Sequence, residues 1–243
     1  AWLLPVSLTC MAMKMNTLLF PGRYVQGPHA LQSLPAEIER LGGPAMLLCD
    51  DFASRQLGER LHALFTHSAG LADLLVLSGA NSEANAELHA AAIAATGARV
   101  LVGIGGGKVL DAAKAAAELA GCALILVPTA ASTDAPCSSV AVMQTDDGGF
   151  SHYRFLRHNP GVVLVDTSII AAAPPRMLIA GMGDALSTWF EAEEARQQGW
   201  LNVAGTPPSG FALMVARQCF ETVMEPGATA VAELRAAQTG KAF

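Results

Sequence analysis

Three consecutive glycines and a lysine, Gly105-Gly106-Gly107-Lys108, stand between an apolar run, Val100–Ile104, and a helical pattern that carries Asp111 and Lys114. The order strand, glycine turn, helix suits an anion. Glycines permit left-handed backbone angles and leave no Cβ in the way, so amide N–H groups can approach closely, and the opening helix adds the positive end of its dipole. Lys108 places a cation beside the turn, and a dinucleotide pyrophosphate is the natural occupant. Two common phosphate motifs do not fit: Lys108 occupies the last-glycine position of G-x-G-x-x-G, and Val102 and Val109 occupy the first-glycine and Ser/Thr positions of a Walker loop. A glycine-rich turn that binds nothing is the alternative.

Two further segments carry polar chemistry. Pro128-Thr129 leaves the apolar run Leu124–Val127 and opens a loop bearing Ser132, Thr133, Asp134, Ser138 and Ser139, at the carboxyl end of a strand, where α/β sheets bind ligands. Gly181-Met-Gly183-Asp184 sets a carboxylate at a glycine-to-helix junction, where Asp184 reads equally well as a helix N-cap.

Short apolar runs at Ala45–Cys49, Leu74–Leu77, Val100–Ile104, Leu124–Val127 and Val162–Val165 predict strands, and alanine-rich stretches at Phe52–Thr66, Glu83–Thr96 and Lys108–Ala120 predict the helices between them. This alternation implies a mostly parallel sheet covered on both faces. Val140–Thr145 and Ser151–Leu156 flank a glycine turn as a β-hairpin. After Pro174-Pro175 only helices are expected, at Arg176–Gln198, Ser209–Met224 and Ala228–Ala237. The resulting division is an extension at 1–15 that is not part of the fold, an α/β nucleotide-binding unit at 16–174, and an incomplete all-α unit at 175–243. Met11, Met13 or Met15 reads as the true start, and the end at Phe243 reads as a truncation.

The chain has 243 residues, 52% hydrophobic and 15% charged, with a net charge of −6. That composition favours an α/β enzyme core over a disordered protein. No basic cluster offers a footprint for nucleic acid or an anionic membrane. Five scattered cysteines without a C-x-x-C pair read as reduced core thiols of a cytoplasmic protein.

Four ordered segments, Gly103-Ile-Gly-Gly-Gly-Lys108-x-Leu-Asp111-x-x-Lys114, Pro128-Thr-x-Ala-Ser-Thr-Asp134-Ala-Pro-Cys-Ser138, Asn159-Pro-x-Val-Val-Leu-Val-Asp166-Thr and Gly181-Met-Gly-Asp184-Ala-Leu, closely resemble the glycerol dehydrogenase family. That family lies among the metal-dependent polyol and iron-containing alcohol dehydrogenases with a dehydroquinate-synthase-like fold. The resemblance, running from about Phe20 to Glu225, implies oxidation of glycerol or a related vicinal diol by NAD. It implies that Gly105, Gly106, Gly107, Lys108 and Asp111 form the pyrophosphate turn, and that Thr129 and Ser132 add NAD contacts. Asp50 would accept hydrogen bonds from the adenosine ribose, which suits NAD over NADP because a carboxylate repels a 2′-phosphate; capping by Asp50 or Asp51 is the plainer reading. Ser138 and Val140 would lie near the nicotinamide. Asp134 would hold a substrate hydroxyl, and Asp184 would ligate a divalent metal, usually zinc, acting as a Lewis acid. It also implies a homo-oligomer for the full-length protein.

The chain departs from the pattern in three places. Two histidines should join Asp184 in the metal site, yet all six histidines, His29, His62, His67, His89, His152 and His158, precede it. The chain as written is therefore expected to be inactive. His62, His67 and His89 fall on amphipathic helices as solvated or partly packed groups; His152 and His158 flank the second hairpin strand within reach of the site, but without the i, i+4 spacing of a metal pair they are not read as ligands. Gln144 stands where the family often has tyrosine, and Val109 where threonine is usual. The rivals are a glycerol-1-phosphate dehydrogenase or an iron-dependent alcohol dehydrogenase of the same fold, and a non-catalytic NAD-binding remnant. The Thr129–Ser139 loop has no Arg or Lys for a substrate phosphate; Arg154 and Arg157 keep that rival open.

Overall fold

A computed structural model describes residues 18–66, 70–202 and 205–239; the expected extension at 1–15 lies outside them, as do Cys10 and His67. In chain order the elements are β1 (Arg23–Gly27), a 3-10 turn (Ala30–Ser33), α1 (Leu34–Arg40), β2 (Ala45–Cys49), α2 (Asp51–Phe65), β3 (Leu71–Val76), α3 (Glu83–Thr96), β4 (Val100–Gly105), α4 (Gly107–Ala120) and β5 (Ala123–Pro128). The hairpin β6 (Val140–Gln144) and β7 (Phe150–Phe155) follows, then β8 (Val162–Asp166), α5 (Thr167–Ile170), α6 (Pro175–Gln198), α7 (Gly210–Met224) and α8 (Gly227–Thr239). Among the described residues no strand follows Asp166, and no helix is long and apolar enough to cross a membrane.

Six strands make one parallel sheet in the order β1-β8-β5-β4-β2-β3, and β6 pairs with β7 as a separate antiparallel hairpin. Period-two alternation divides the sheet's apolar residues between two cores. Leu47, Val102, Ile104 and Ile125 face α1 and α2, meeting Ile38, Leu57, Leu61 and Phe65. Met46, Leu48, Leu101 and Leu126 face α3 and α4, meeting Ile93, Leu110 and Ala113. With both faces covered, the strands read as continuous apolar runs, which is why they are legible in the sequence.

Gly103 and Gly105 lie on the α4 side of β4. A Cβ on Gly103 would stand 2.5 Å from the Ala113 Cβ, and one on Gly105 would stand 2.7 Å from the Val109 Cβ. The positive-φ glycines do not include Gly103, Gly105, Gly106 or Gly107, and Gly106 has φ −83°. The expectation of left-handed angles at this turn is therefore corrected: Gly103 and Gly105 serve close approach of helix to strand.

The elements absent from the sequence reading are the polar or short ones. β1, Arg23-Tyr-Val-Gln-Gly27, is an exposed edge strand paired with β8 and has no apolar alternation. The 3-10 turn and α1 bury Leu31, Leu34 and Ile38 at helical spacing. This N-terminal segment is clasped by Asp166, fully buried, whose carboxylate accepts the His29 N–H (3.1 Å), the Leu31 N–H (3.3 Å), the Ser168 N–H (2.9 Å) and an Arg60 N–H (3.2 Å). Those donors outweigh desolvation and hold the Asp166 carboxyl below its ordinary range.

The contrast between glycines gives a test. Gly103→Ala should lower unfolding stability by about 1–3 kcal/mol through overpacking. Gly58→Ala, on α2 with open space around its Cβ, should raise it by about 0.5–1 kcal/mol. Urea unfolding read by circular dichroism decides; equal midpoints for the two variants would contradict the packing at β4.

Candidate functional site

The chain moves from β2 outward to β3, then returns past β2 to β4 and onward to β5. This reversal leaves a crevice at the carboxyl ends of β2 and β4, where Cys49, the last residue of β2, lies opposite Ile104, the last but one of β4. Ligands bind at such switch points in open α/β sheets. Asp50 leaves β2 on one side of the crevice and Gly106 leaves β4 on the other.

Two connected hollows of about 450 and 530 Å³ occupy this crevice, and both are lined by Asp50, Phe52, Gly106 and Ala130. Thr129 lines the first, and Gly107, Lys108 and Ser132 line the second. The structure thus brings six of the sequence candidates to one place: Asp50, Gly106, Gly107, Lys108, Thr129 and Ser132. Gly105 is buried beneath them, and its carbonyl accepts the Thr129 N–H at 3.0 Å. Gly106 is the N-cap of α4 and offers no side-chain cap, so the first amides of a 14-residue helix face the crevice without one. A Cβ on Gly106 would meet nothing within 4 Å and would project into open space. An uncapped helix start, an exposed lysine and a hydroxyl loop around an open cradle fit a pyrophosphate. Asp50 resolves the capping alternative, because its Oδ1 accepts the Ala53 N–H at 2.7 Å while Asp51 begins α2.

A second cleft of about 1080 Å³ opens next to the loop after β5 and is lined by Thr133, Asp134, Asp184, Phe211 and Cys219. Asp184 lies well inside α6, which starts at Pro175, so its expected place at a helix start is corrected. It reaches the loop because α6 lies directly on it: a Cβ on Gly181 would stand 2.2 Å from the Ala131 carbonyl oxygen. At this distance Asp184 Oδ2 accepts the Asp134 N–H at 3.0 Å. The Asp134 carboxyl is raised above its usual range by desolvation and by the Asp184 charge, with Lys114 acting against both.

The remaining candidates meet elsewhere. Asp111, Ser138 and Val140 converge on Lys114, whose Nζ donates to Asp111 Oδ1 (3.2 Å), Ser138 Oγ (3.0 Å) and the Val140 carbonyl (2.7 Å). Lys114 stands in the motif, but the sequence assigns it no role; the available sign is an Asp–Lys pair three residues apart, flanked by alanines.

No three His, Cys, Asp or Glu side chains come together to hold a metal among the described residues. A catalytic zinc needs about three protein ligands, so Asp184 has no such set here. His152 bonds Glu83 at 3.0 Å instead of approaching Asp184, and His158 lines a separate hollow with Glu118. His89 is buried with its Nδ1 unbonded, where surface packing was expected, and burial lowers its pKa. Arg154 pairs with Glu83, and Arg157 with Glu118 at 3.3 Å. Gln144 accepts the Asn81 N–H at 3.0 Å, and Val109 fills the space that Gly105 leaves open.

The profile of the iron-containing alcohol dehydrogenases matches residues 21–167. The chain belongs to that family. It is 45% identical over 217 residues to a glycerol dehydrogenase of Thermotoga maritima, covering 89% of this chain and 59% of that protein. A glycerol dehydrogenase of Pseudomonas putida is 41% identical over the same shares. The crystal structure of glycerol dehydrogenase from Schizosaccharomyces pombe superposes with a TM-score of 0.82 at 31% identity, covering 91% of this chain and 56% of that one. The fold is therefore the dehydroquinate-synthase-like fold of this family, and the chain spans about three-fifths of the length of the curated relatives it matches.

The carboxylate pair yields a pH prediction. Asp184→Asn removes a like charge beside Asp134, so the Asp134 carboxylate forms more readily and its titration midpoint falls. Carbon-13 NMR of the Asp134 carboxyl reads this directly; an unmoved midpoint would show that the two carboxylates do not sense each other.

Proposed function

We propose that the protein is an NAD-dependent oxidoreductase that oxidises glycerol or a related vicinal diol to the hydroxyketone. The observation that carries this reading is the uncapped, open start of α4 at Gly106 beside Asp50, with Asp134 in the loop after β5 meeting Asp184 of α6. The family membership and the glycerol dehydrogenase relatives support the same class of reaction.

In this reading the amides of Gly107 and Lys108 and the Lys108 ammonium bind the pyrophosphate. Asp50 keeps one oxygen on the α2 cap and turns the other to the ribose, which disfavours a 2′-phosphate. Thr129 and Ser132 hold the cofactor along the loop. The nicotinamide ring, when bound, supplies the hydride acceptor. Asp134 receives a substrate hydroxyl in the second cleft, and Asp184 fixes the Asp134 backbone. A divalent metal at Asp184 is what the resemblance implies, but the described residues provide too few ligands to hold one.

A phosphate-bearing substrate is disfavoured, because Arg154 and Arg157 are each paired with a glutamate on α3 or α4. We further read the protein as soluble and cytoplasmic, with a small polyol as its partner, without nucleic acid, and oligomeric at full length.

Fluorescence titration with NADH tests the cofactor half on this chain. NADH should bind more tightly than NADPH. Gly106→Val, which fills the cradle, should weaken NADH by about tenfold or more, since even one charge-assisted hydrogen bond contributes about 1.5–3 kcal/mol. Asp50→Ala should narrow the preference over NADPH. Equal binding by the unaltered chain and Gly106→Val would reject the reading.

A further inference from the structure

Lys114 is the largest of the fully buried side chains, 1% exposed. Its neighbours on α4 are Ala112, Ala113, Ala115, Ala116 and Ala117, all buried. Burial works against its charge, and Asp111 opposes that. A methionine would fill the same space without desolvating an ion, so packing does not account for an ammonium here.

Its bonding does. One donor goes to Asp111 on the same helix, and the other two go to Ser138 and Val140. Those two residues end the loop that leads from β5 into β6. At the loop's beginning, the Thr129 N–H is held by the Gly105 carbonyl at 3.0 Å. At its middle, the Asp134 N–H meets Asp184. Two neutral bonds assist the far end, Asn159 Nδ2 to the Cys137 carbonyl at 2.7 Å and the Leu156 N–H to the Ser139 carbonyl at 2.8 Å. Lys114 joins the far end to α4 with charge-assisted bonds, which are roughly twice as strong as neutral ones, and the Asp111 carboxylate on the same helix accepts the Val142 backbone N–H one step further along β6.

We infer that Lys114 is a positioning residue: its buried ammonium clamps the far end of the Thr129–Ser139 loop onto α4 and thereby sets where Asp134 stands opposite Asp184. The helix whose start is proposed to bind pyrophosphate would then also hold the loop proposed to bind substrate. The significance for substrate rests on the reading of Asp134 given above; the clamp itself does not.

Hydrogen exchange on the full chain, resolved by peptide, tests the clamp. Lys114→Met combined with Asp111→Asn removes the ammonium without leaving a buried carboxylate unpaired. Exchange in residues 132–140 should accelerate by about tenfold or more, the loss expected for charge-assisted bonds, while β2 changes by less than about twofold. The Asp134 amide cross-peak in a nitrogen-15 spectrum, set by its bond to Asp184, should move in the same variant. Ser138→Ala, which deletes one acceptor, should accelerate the same peptide to a lesser degree, and it decides the matter if the double variant does not fold. Unchanged exchange in 132–140, equal acceleration in β2, or an unmoved Asp134 cross-peak would overturn the proposal. NADH titration of the unaltered chain is a separate result: its failure would reject the cofactor reading and leave the exchange result standing.

Discussion

The close approach of α4 to β4 is the constraint from which the candidate site follows. Gly103 and Gly105 remove the side chains that would otherwise separate the two elements, and Ala113 and Val109 occupy the space so vacated. The helix axis is thereby fixed on the sheet with its N-terminus at the carboxyl edge, beside the strand reversal that opens the crevice. An anion-binding helix start needs this kind of placement, because the dipole acts within about the first turn. Lys114 on the same helix reaches Ser138 and Val140, so one element carries both the open helix start and the tie to the loop after β5.

A second close contact extends the arrangement. Gly181 lets α6 rest on the Ala131 carbonyl, and that contact brings Asp184 to the Asp134 backbone. Two glycine contacts, one under α4 and one under α6, therefore set the distance between the crevice and the carboxylate pair. A bulkier residue at either place would alter geometry before it altered chemistry.

Much of this was legible in the sequence. Strands covered on both faces must be apolar throughout, so β2, β4, β5 and β8 stand out as runs bounded by glycine, proline or aspartate. The glycine turn and its lysine mark the start of α4 by type and order, and the structure leaves that start without a side-chain cap. What the sequence concealed depended on tertiary partners. β1 is stabilised as an edge by β8 and not by its own pattern. The placement of Asp184 inside a helix, rather than at its start, follows from where Pro175 begins α6. Asp111, Ser138 and Val140 each bond Lys114, a convergence that sequence separation hides. The histidines illustrate the same limit: His152 looked available and is bound to Glu83.

The central claim is that the start of α4 receives the cofactor's pyrophosphate. The most direct measurement is a nitrogen-15 spectrum of the labelled chain recorded during addition of NAD. The largest shifts are expected at the amides of Gly106, Gly107, Lys108 and Thr129, with the β6–β7 turn unaffected. Shifts absent from the α4 start, or spread evenly over the surface, would contradict it.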